Sequence, residues 1–181
     1  MAVTKINDFN IGSYSADTVF VLDTNVLYYV HSGYYLPNDT KSILYSNVIL
    51  TILTSGYAVK VSALSVQELL YGVENKEYLL YCQRNGLNSA RYTKKQYRSD
   101  QTQRACVKHK LTTILSELSP YRLDDGSMQV SVLQQFVNSL SSHKMDPVDY
   151  MLTQCYDPAK TVFISDDKDF QTLTSIQVLT A

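Results

Sequence analysis

Four short apolar runs punctuate the chain: Val19-Phe20-Val21-Leu22, Ala58-Val59-Lys60-Val61, Thr161-Val162-Phe163-Ile164 and Ile176-Gln177-Val178-Leu179. The first and third are almost continuously apolar and rich in β-branched and aromatic residues, which is what a strand buried on both faces requires. Helix-length patterns fill the intervals. Val26, Leu27 and Val30 resume after the first run with helical spacing. From Thr40, the positions Ile43, Leu44, Val48, Ile49, Ile52 and Leu53 fit one helix that Gly56 would close. A second long helix is predicted from Leu64 to about Cys82, and a third leads out of the polar stretch 84–110 to end near Pro120. Further helices are predicted over Met128 to Leu140 and from Val148 to about Tyr156, the last after Pro147 at a helix-start position. Strands alternating with helices predict an α/β fold, with a parallel sheet covered on both faces and joined by right-handed crossovers.

The 181 residues suit one ordinary domain with a real core, taken as 18–181, with 1–17 as a mostly polar N-terminal arm that Ile6, Phe9 and Ile11 could anchor. Apolar residues make up 45%, charged residues 18%, and the net charge is -1, which excludes intrinsic disorder and a globally basic nucleic-acid coat. Cys82, Cys106 and Cys155 are odd in number and never form a CxxC pair, so neither a disulfide framework nor a zinc cage is indicated. No signal peptide pattern opens the chain, and no stretch approaches the roughly 20 apolar residues of a membrane span. The expectation is a soluble, cytoplasmic protein with no membrane partner.

Ligands of an open parallel sheet bind beyond the carboxyl ends of its strands. Asp23 follows the first predicted strand directly, Glu68 lies one short turn beyond the second, and Asp166, Asp167 and Asp169 follow the third. Asp146 and Asp149 open the helix leading into that third strand, within reach of the same edge. Each acid also has a plain structural reading. Ser65-Val66-Gln67-Glu68 matches a capping box, Asp146-Pro147-Val148-Asp149 matches a helix start, Asp23 could cap the first helix, and the acids at 166–169 could form a turn. Gathered at one edge, however, such carboxylates repel one another and raise each other's pKa unless something positive lies between them. Helix N-termini relieve roughly 0.3–1 kcal/mol each, and a divalent cation relieves far more. Oxygen ligands without His or Cys favour Mg²⁺ or Mn²⁺, ions suited to phosphodiester hydrolysis.

Other chemistries find little support. His31, His109 and His143 show no metal-ligand spacing, and the GxxxxGK[ST], GxGxxG and GxSxG loops are absent. A phosphatase with a nucleophilic Asp would carry a second Asp where Asn25 stands.

Val21-Leu22-Asp23-Thr24-Asn25-Val26-Leu27 resembles the opening motif of PIN-domain nucleases. Gln67-Glu68-Leu69 resembles their second motif and Asp149-Tyr150-Met151-Leu152 their third. Ile164-Ser165-Asp166-Asp167-Lys168-Asp169-Phe170 resembles the fourth, in the same order along the chain. The resemblance implies a three-layer α/β/α sandwich with a central, mainly parallel sheet, and a Mg²⁺- or Mn²⁺-dependent endoribonuclease. On this mapping Asp23, Glu68, Asp149 and Asp167 are metal ligands or water activators, with Asp146 and Asp169 as further ligands, while Thr24, Asn25 and Ser165 hold the metal-bound phosphate. It also implies RNA as substrate, an antitoxin protein as partner if the chain is a toxin of the VapC type, and a homodimer. Tyr150 departs from the pattern, standing where a small residue is usual, and the interval between Glu68 and Asp149 is long.

That interval holds a basic segment. Between 84 and 110, eight basic residues stand against Asp100 alone, a net of +7 that leaves -8 for the rest of the chain. Arg91, Tyr92, Lys94, Lys95, Tyr97 and Arg98 interleave charge with aromatic rings, as a surface that grips phosphates and stacks bases does. The alternative is a solvated helix face. Two rival functions remain open at this point: a catalytically silent PIN-like module that binds RNA or protein, and a structure-specific DNA nuclease.

Overall fold

A computed structural model describes residues 3–36, 38–124, 130–139, 147–171 and 175–181. Six strands form one sheet: β1 (Val3–Lys5), β2 (Val19–Leu22), β3 (Ala58–Ser62), β4 (Arg122–Asp124), β5 (Thr161–Ile164) and β6 (Gln177–Thr180). Their order is β1-β6-β5-β2-β3-β4, and every pairing is parallel. The helices are α1 (Thr24–His31), α2 (Thr40–Thr54), α3 (Ala63–Arg84), α4 (Lys94–Ser99), α5 (Gln101–Glu117), α6 (Val130–Ser139), α7 (Pro147–Gln154) and α8 (Lys168–Gln171). Among the described residues no helix is long and apolar enough to cross a membrane.

Alternation along the central strands divides the core in two. Phe20, Leu22, Val59, Val61, Val162 and Ile164 face the layer of α1, α2 and α3 and meet Val26, Leu27, Ile52 and Leu69 there. Val21, Phe163 and Val178 face the opposite layer and meet Leu152 of α7 and Phe170 of α8. Helices on both faces of a parallel sheet make the α/β/α sandwich. Full burial of each of these side chains stabilises the fold by roughly 1.5–3 kcal/mol.

Local chemistry sets the helix ends. Asp39 caps α2 by accepting from the Ser42 amide at 2.9 Å, and Gly56, at a φ of 82°, lets the chain turn out of it into β3. Ser62 caps α3 through the Ser65 amide at 2.9 Å. At 22 residues, α3 extends to roughly 33 Å, and its second half carries Tyr78 and Cys82 away from the main core. There α4 and α5 pack Tyr97 and Val107 against them as a satellite core. The basic segment is thus a helical annex: α4 opens with a Thr93/Gln96 capping box, and Asp100 caps α5.

The N-terminal segment is part of the sheet. Val3–Lys5 pairs with β6, Ile6 is buried in the main core, and Phe9 and Tyr14 pack edge-on against Phe20 at 6.3 and 5.2 Å. Three residues are too few to read as a strand, and edge pairing through the backbone asks little of side chains.

Candidate active site

The strand order reverses between β2 and β5. The chain leaves β2 toward β3 and leaves β5 toward β6, so a crevice opens beyond their carboxyl ends. Leu22 and Ile164 are in register, and the next residue of each strand, Asp23 and Ser165, stands at the mouth of that crevice. The Asp23 amide donates to the Ile164 carbonyl at 3.1 Å, and the Ser165 amide to the Leu179 carbonyl at 3.1 Å. Sheet geometry therefore fixes both backbones before any side chain acts.

Asp23 is 5% exposed. One carboxylate oxygen accepts from the Thr24 amide at 2.6 Å and the other from the Ser165 hydroxyl at 2.6 Å. Burial pushes its pKa up to about 6; the two hydrogen bonds oppose this, and the charges of Asp167 and Glu68 add to it. The charges of Asp167, after β5, and Glu68, in the first turns of α3, thus both reach Asp23 at this edge. Asp23 caps α1 as well, so its structural and functional readings coexist.

Glu68 does not close a capping box. Ser65 lies inside α3, whose cap is Ser62, and the Glu68 carboxylate instead accepts from the Thr24 hydroxyl at 2.7 Å. It also lines a cleft of about 350 Å³ with Leu64, Gln67, Tyr71 and Val148. Val148 brings the first turn of α7 to this cleft, and Asp149, half-buried, belongs to the same turn. Asp146 lies outside the described residues.

The three acids after β5 divide. Asp166 turns toward α1 and α2, where it pairs with Lys41 and accepts from the Tyr29 and Tyr45 hydroxyls at 3.3 and 3.2 Å. Its amide is held by the Asn25 side-chain carbonyl at 3.1 Å. Asp167 stays at the crevice: its amide donates to the Ser165 hydroxyl oxygen at 3.0 Å, and its carboxylate accepts from the Asp169 amide at 2.8 Å at the start of α8. The Asn25 amide group approaches the same Ser165 oxygen at 3.5 Å. Thr24, Asn25 and Ser165 therefore orient carboxylates and loops. Lys41, Tyr29 and Tyr45, which hold the loop through Asp166, carry no motif signal. Tyr71, one helical turn beyond Glu68, carries one in that spacing alone.

Among the described residues, no three His, Cys, Asp or Glu side chains stand close enough to grip an ion as they are. The donor chemistry nonetheless fits a hard cation. The convergent groups are all oxygen ligands, and each Asp23 oxygen with one hydrogen bond retains a lone pair.

The basic segment requires a correction. Tyr97 is 2% exposed in the satellite core, so its ring cannot stack on a base. Arg98 makes a two-pronged pair with Glu74 at 3.0 and 2.5 Å, and Arg104 joins the same carboxylate at 2.9 Å. Tyr92 is half-buried against Tyr81, Lys94 donates to the Tyr71 hydroxyl at 2.9 Å, and Arg91 and Lys95 are exposed. Three of the eight basic residues, Arg98, Arg104 and Lys110, are thus paired with Glu74 and Glu77 of α3.

No protein-family model matches the sequence, and no curated protein does. Solved structures do match in fold. VapBC2 from Rickettsia felis, bound to a DNA fragment from its promoter, matches with a TM-score of 0.56 at 12% identity, over 91% of this chain and 99% of that one. DNA-bound VapBC from Salmonella typhimurium matches with a TM-score of 0.52 at 12% identity, over 89% and 96%. VapC is a PIN-domain toxin, and the switch-point crevice, the parallel sheet and its two helical layers agree with that architecture. The chain therefore has a VapC-like PIN-domain fold.

Proposed function

We propose that the protein is a Mg²⁺- or Mn²⁺-dependent endoribonuclease that hydrolyses RNA phosphodiester bonds at the crevice between β2 and β5. The observation that carries this reading is the buried Asp23 carboxylate, set at the switch point and pressed toward its protonated form by burial and by Asp167 and Glu68. A carboxylate perturbed by burial and by neighbouring acids at such a crevice is where a functional group is expected. Asp23, Glu68, Asp149 and Asp167 would hold the metal, with Asp146 and Asp169 as further ligands. When bound, the ion supplies an activated water and neutralises the leaving oxygen. The chain's own part is to hold carboxylates ready. Ser165 and the Thr24 amide fix Asp23, the Thr24 hydroxyl fixes Glu68, and Asn25 steadies the turn that carries Asp167.

The solved relatives are VapBC assemblies on DNA. By that likeness we extend the reading to a toxin whose crevice an antitoxin protein covers, and by the motif resemblance alone to a homodimer. One observation favours the rival reading of a silent binding module, namely that among the described residues no three acids are already in gripping position. Incubating purified protein with mixed RNAs and DNAs, with and without Mn²⁺, beside an Asp23→Asn control, decides between them. RNA cleavage that needs both Mn²⁺ and Asp23 supports the nuclease. Cleavage of DNA alone, or of nothing, overturns it.

A further inference from the structure

The cleft beside Glu68 has a composition that metal chemistry does not require. Leu64, Gln67, Glu68 and Tyr71 follow one another on a single face of α3, and Val148 closes the other side. Tyr71 is 58% exposed although it is a large aromatic side chain with apolar neighbours. It is also held in place. Lys94, from the start of α4, donates to its hydroxyl at 2.9 Å and lies 4.5 Å from its ring centroid. That contact lowers the phenol pKa and restricts the ring's orientation. An exposed aromatic ring with an ammonium held over one side of it and on its hydroxyl suits the binding of a single strand, the ring's exposed side taking a base and the cation a phosphate. The next turn of α3 cannot serve in the same way, since Glu74 there is occupied by Arg98 and Arg104.

We propose that Tyr71 and Lys94 form a nucleotide subsite one helical turn from Glu68, in which Tyr71 stacks the base next to the scissile phosphate and Lys94 pairs with the adjoining phosphate. The proposal rests on the nuclease reading for its substrate and names the part of the surface that receives it. The annex of α4 and α5 then has a defined purpose: it delivers Lys94 to the rim of the crevice, while Arg98 and Arg104 lock it onto α3.

The test uses the full chain carrying Asp23→Asn, so that RNA stays uncut, and a single-stranded 12-residue oligoribonucleotide containing 2-aminopurine. Bound RNA should show quenched 2-aminopurine fluorescence from stacking. Adding Tyr71→Leu should remove the quenching and weaken binding about fivefold or more, whereas Tyr71→Phe should keep most of both. Lys94→Gln should flatten the salt dependence by about one ion while preserving part of the quenching. Circular dichroism should be unchanged in all three variants, since Tyr71 and Lys94 lie outside the buried core. Equal affinity and equal quenching in Tyr71→Leu, or no binding by the parent protein, overturns the subsite. Tyr71-dependent binding without Mn²⁺-dependent cleavage by the unsubstituted protein would sink the nuclease and leave the subsite standing. Cleavage by Tyr71→Leu with unchanged KM would do the reverse.

Discussion

The Ser165 hydroxyl donates to the Asp23 carboxylate across 2.6 Å, tying together the ends of two adjacent parallel strands that are 142 residues apart in sequence. The same oxygen accepts from the Asp167 amide at 3.0 Å, so one buried hydroxyl holds two of the proposed ligand positions. Ser165→Ala leaves that carboxylate oxygen and that amide without this partner. Stability should fall by about 1–3 kcal/mol in urea denaturation. Mn²⁺-dependent cleavage should fall roughly 10- to 100-fold, the usual cost of losing a group that orients a ligand. A variant with unchanged turnover would show that Ser165 serves only the sheet.

Asp23 makes the metal-free protein sensitive to pH in a defined direction. Its folded pKa, near 6, lies above the ordinary value of 3.8, so the folded state holds the proton more tightly than the unfolded chain. The associated stability is whole below about pH 4 and is lost as pH rises through about 6, on the order of 3 kcal/mol at full effect. Asp23→Asn carries no such loss. In EDTA, the variant should melt close to the parent at pH 4.5 and above it at pH 7.5, while its Mn²⁺-dependent cleavage is abolished. A variant less stable than the parent at pH 7.5 would mean that Asp23 serves chiefly as the cap of α1.

An ion that binds only the folded state must stabilise it. Millimolar Mn²⁺ or Mg²⁺ should therefore raise the melting temperature of the parent, with about 2.7 kcal/mol gained at a hundredfold excess over the dissociation constant. The shift should vanish in Asp23→Asn and shrink in Asp167→Asn. No shift in the parent at 10 mM metal, a concentration of about a hundredfold excess over a 0.1 mM site, would remove the ion from the reading.

The strands that carry the crevice were legible because their residues are buried on both faces, which leaves a continuous apolar signature in β2 and β5. The edge strands left none. Arg122-Leu123-Asp124 in β4 is held by backbone pairing to β3 and by the Lys60–Asp124 ion pair, neither of which has a local pattern. Within the site, position along the chain singled out Asp23, and the offset from Ser165 in the motif resemblance favoured Asp167 over Asp166. What that offset does not carry is the turn of the backbone that sends Asp166 to Lys41 on a different helix. Glu68 reads as part of a cap because Ser65 stands three residues before it, whereas α3 already begins at Ala63, at a point set by Ser62. Tyr97 reads as exposed because α4 is only six residues long, and its burial is decided by the far half of α3.

The basic segment should divide by function when its charges are removed singly. Arg91 and Lys95 are exposed, so Arg91→Gln and Lys95→Gln should each flatten the salt dependence of RNA binding by up to about one ion, with little change in melting temperature. Arg98 faces Glu74, whose side chain is only 15% exposed and whose pKa is held low chiefly by the Arg98 hydrogen bond. Arg98→Gln should therefore loosen the annex, lowering stability by up to about 1 kcal/mol because the pair is partly solvated, and should leave the salt slope nearly intact. Tyr97→Ala should be the most damaging change in the segment, costing about 3–5 kcal/mol through loss of the satellite core. Thermal melts and salt-dependent binding on the same four variants check the division. An Arg98→Gln slope as flat as that of Lys95→Gln would return Arg98 to the nucleic-acid surface.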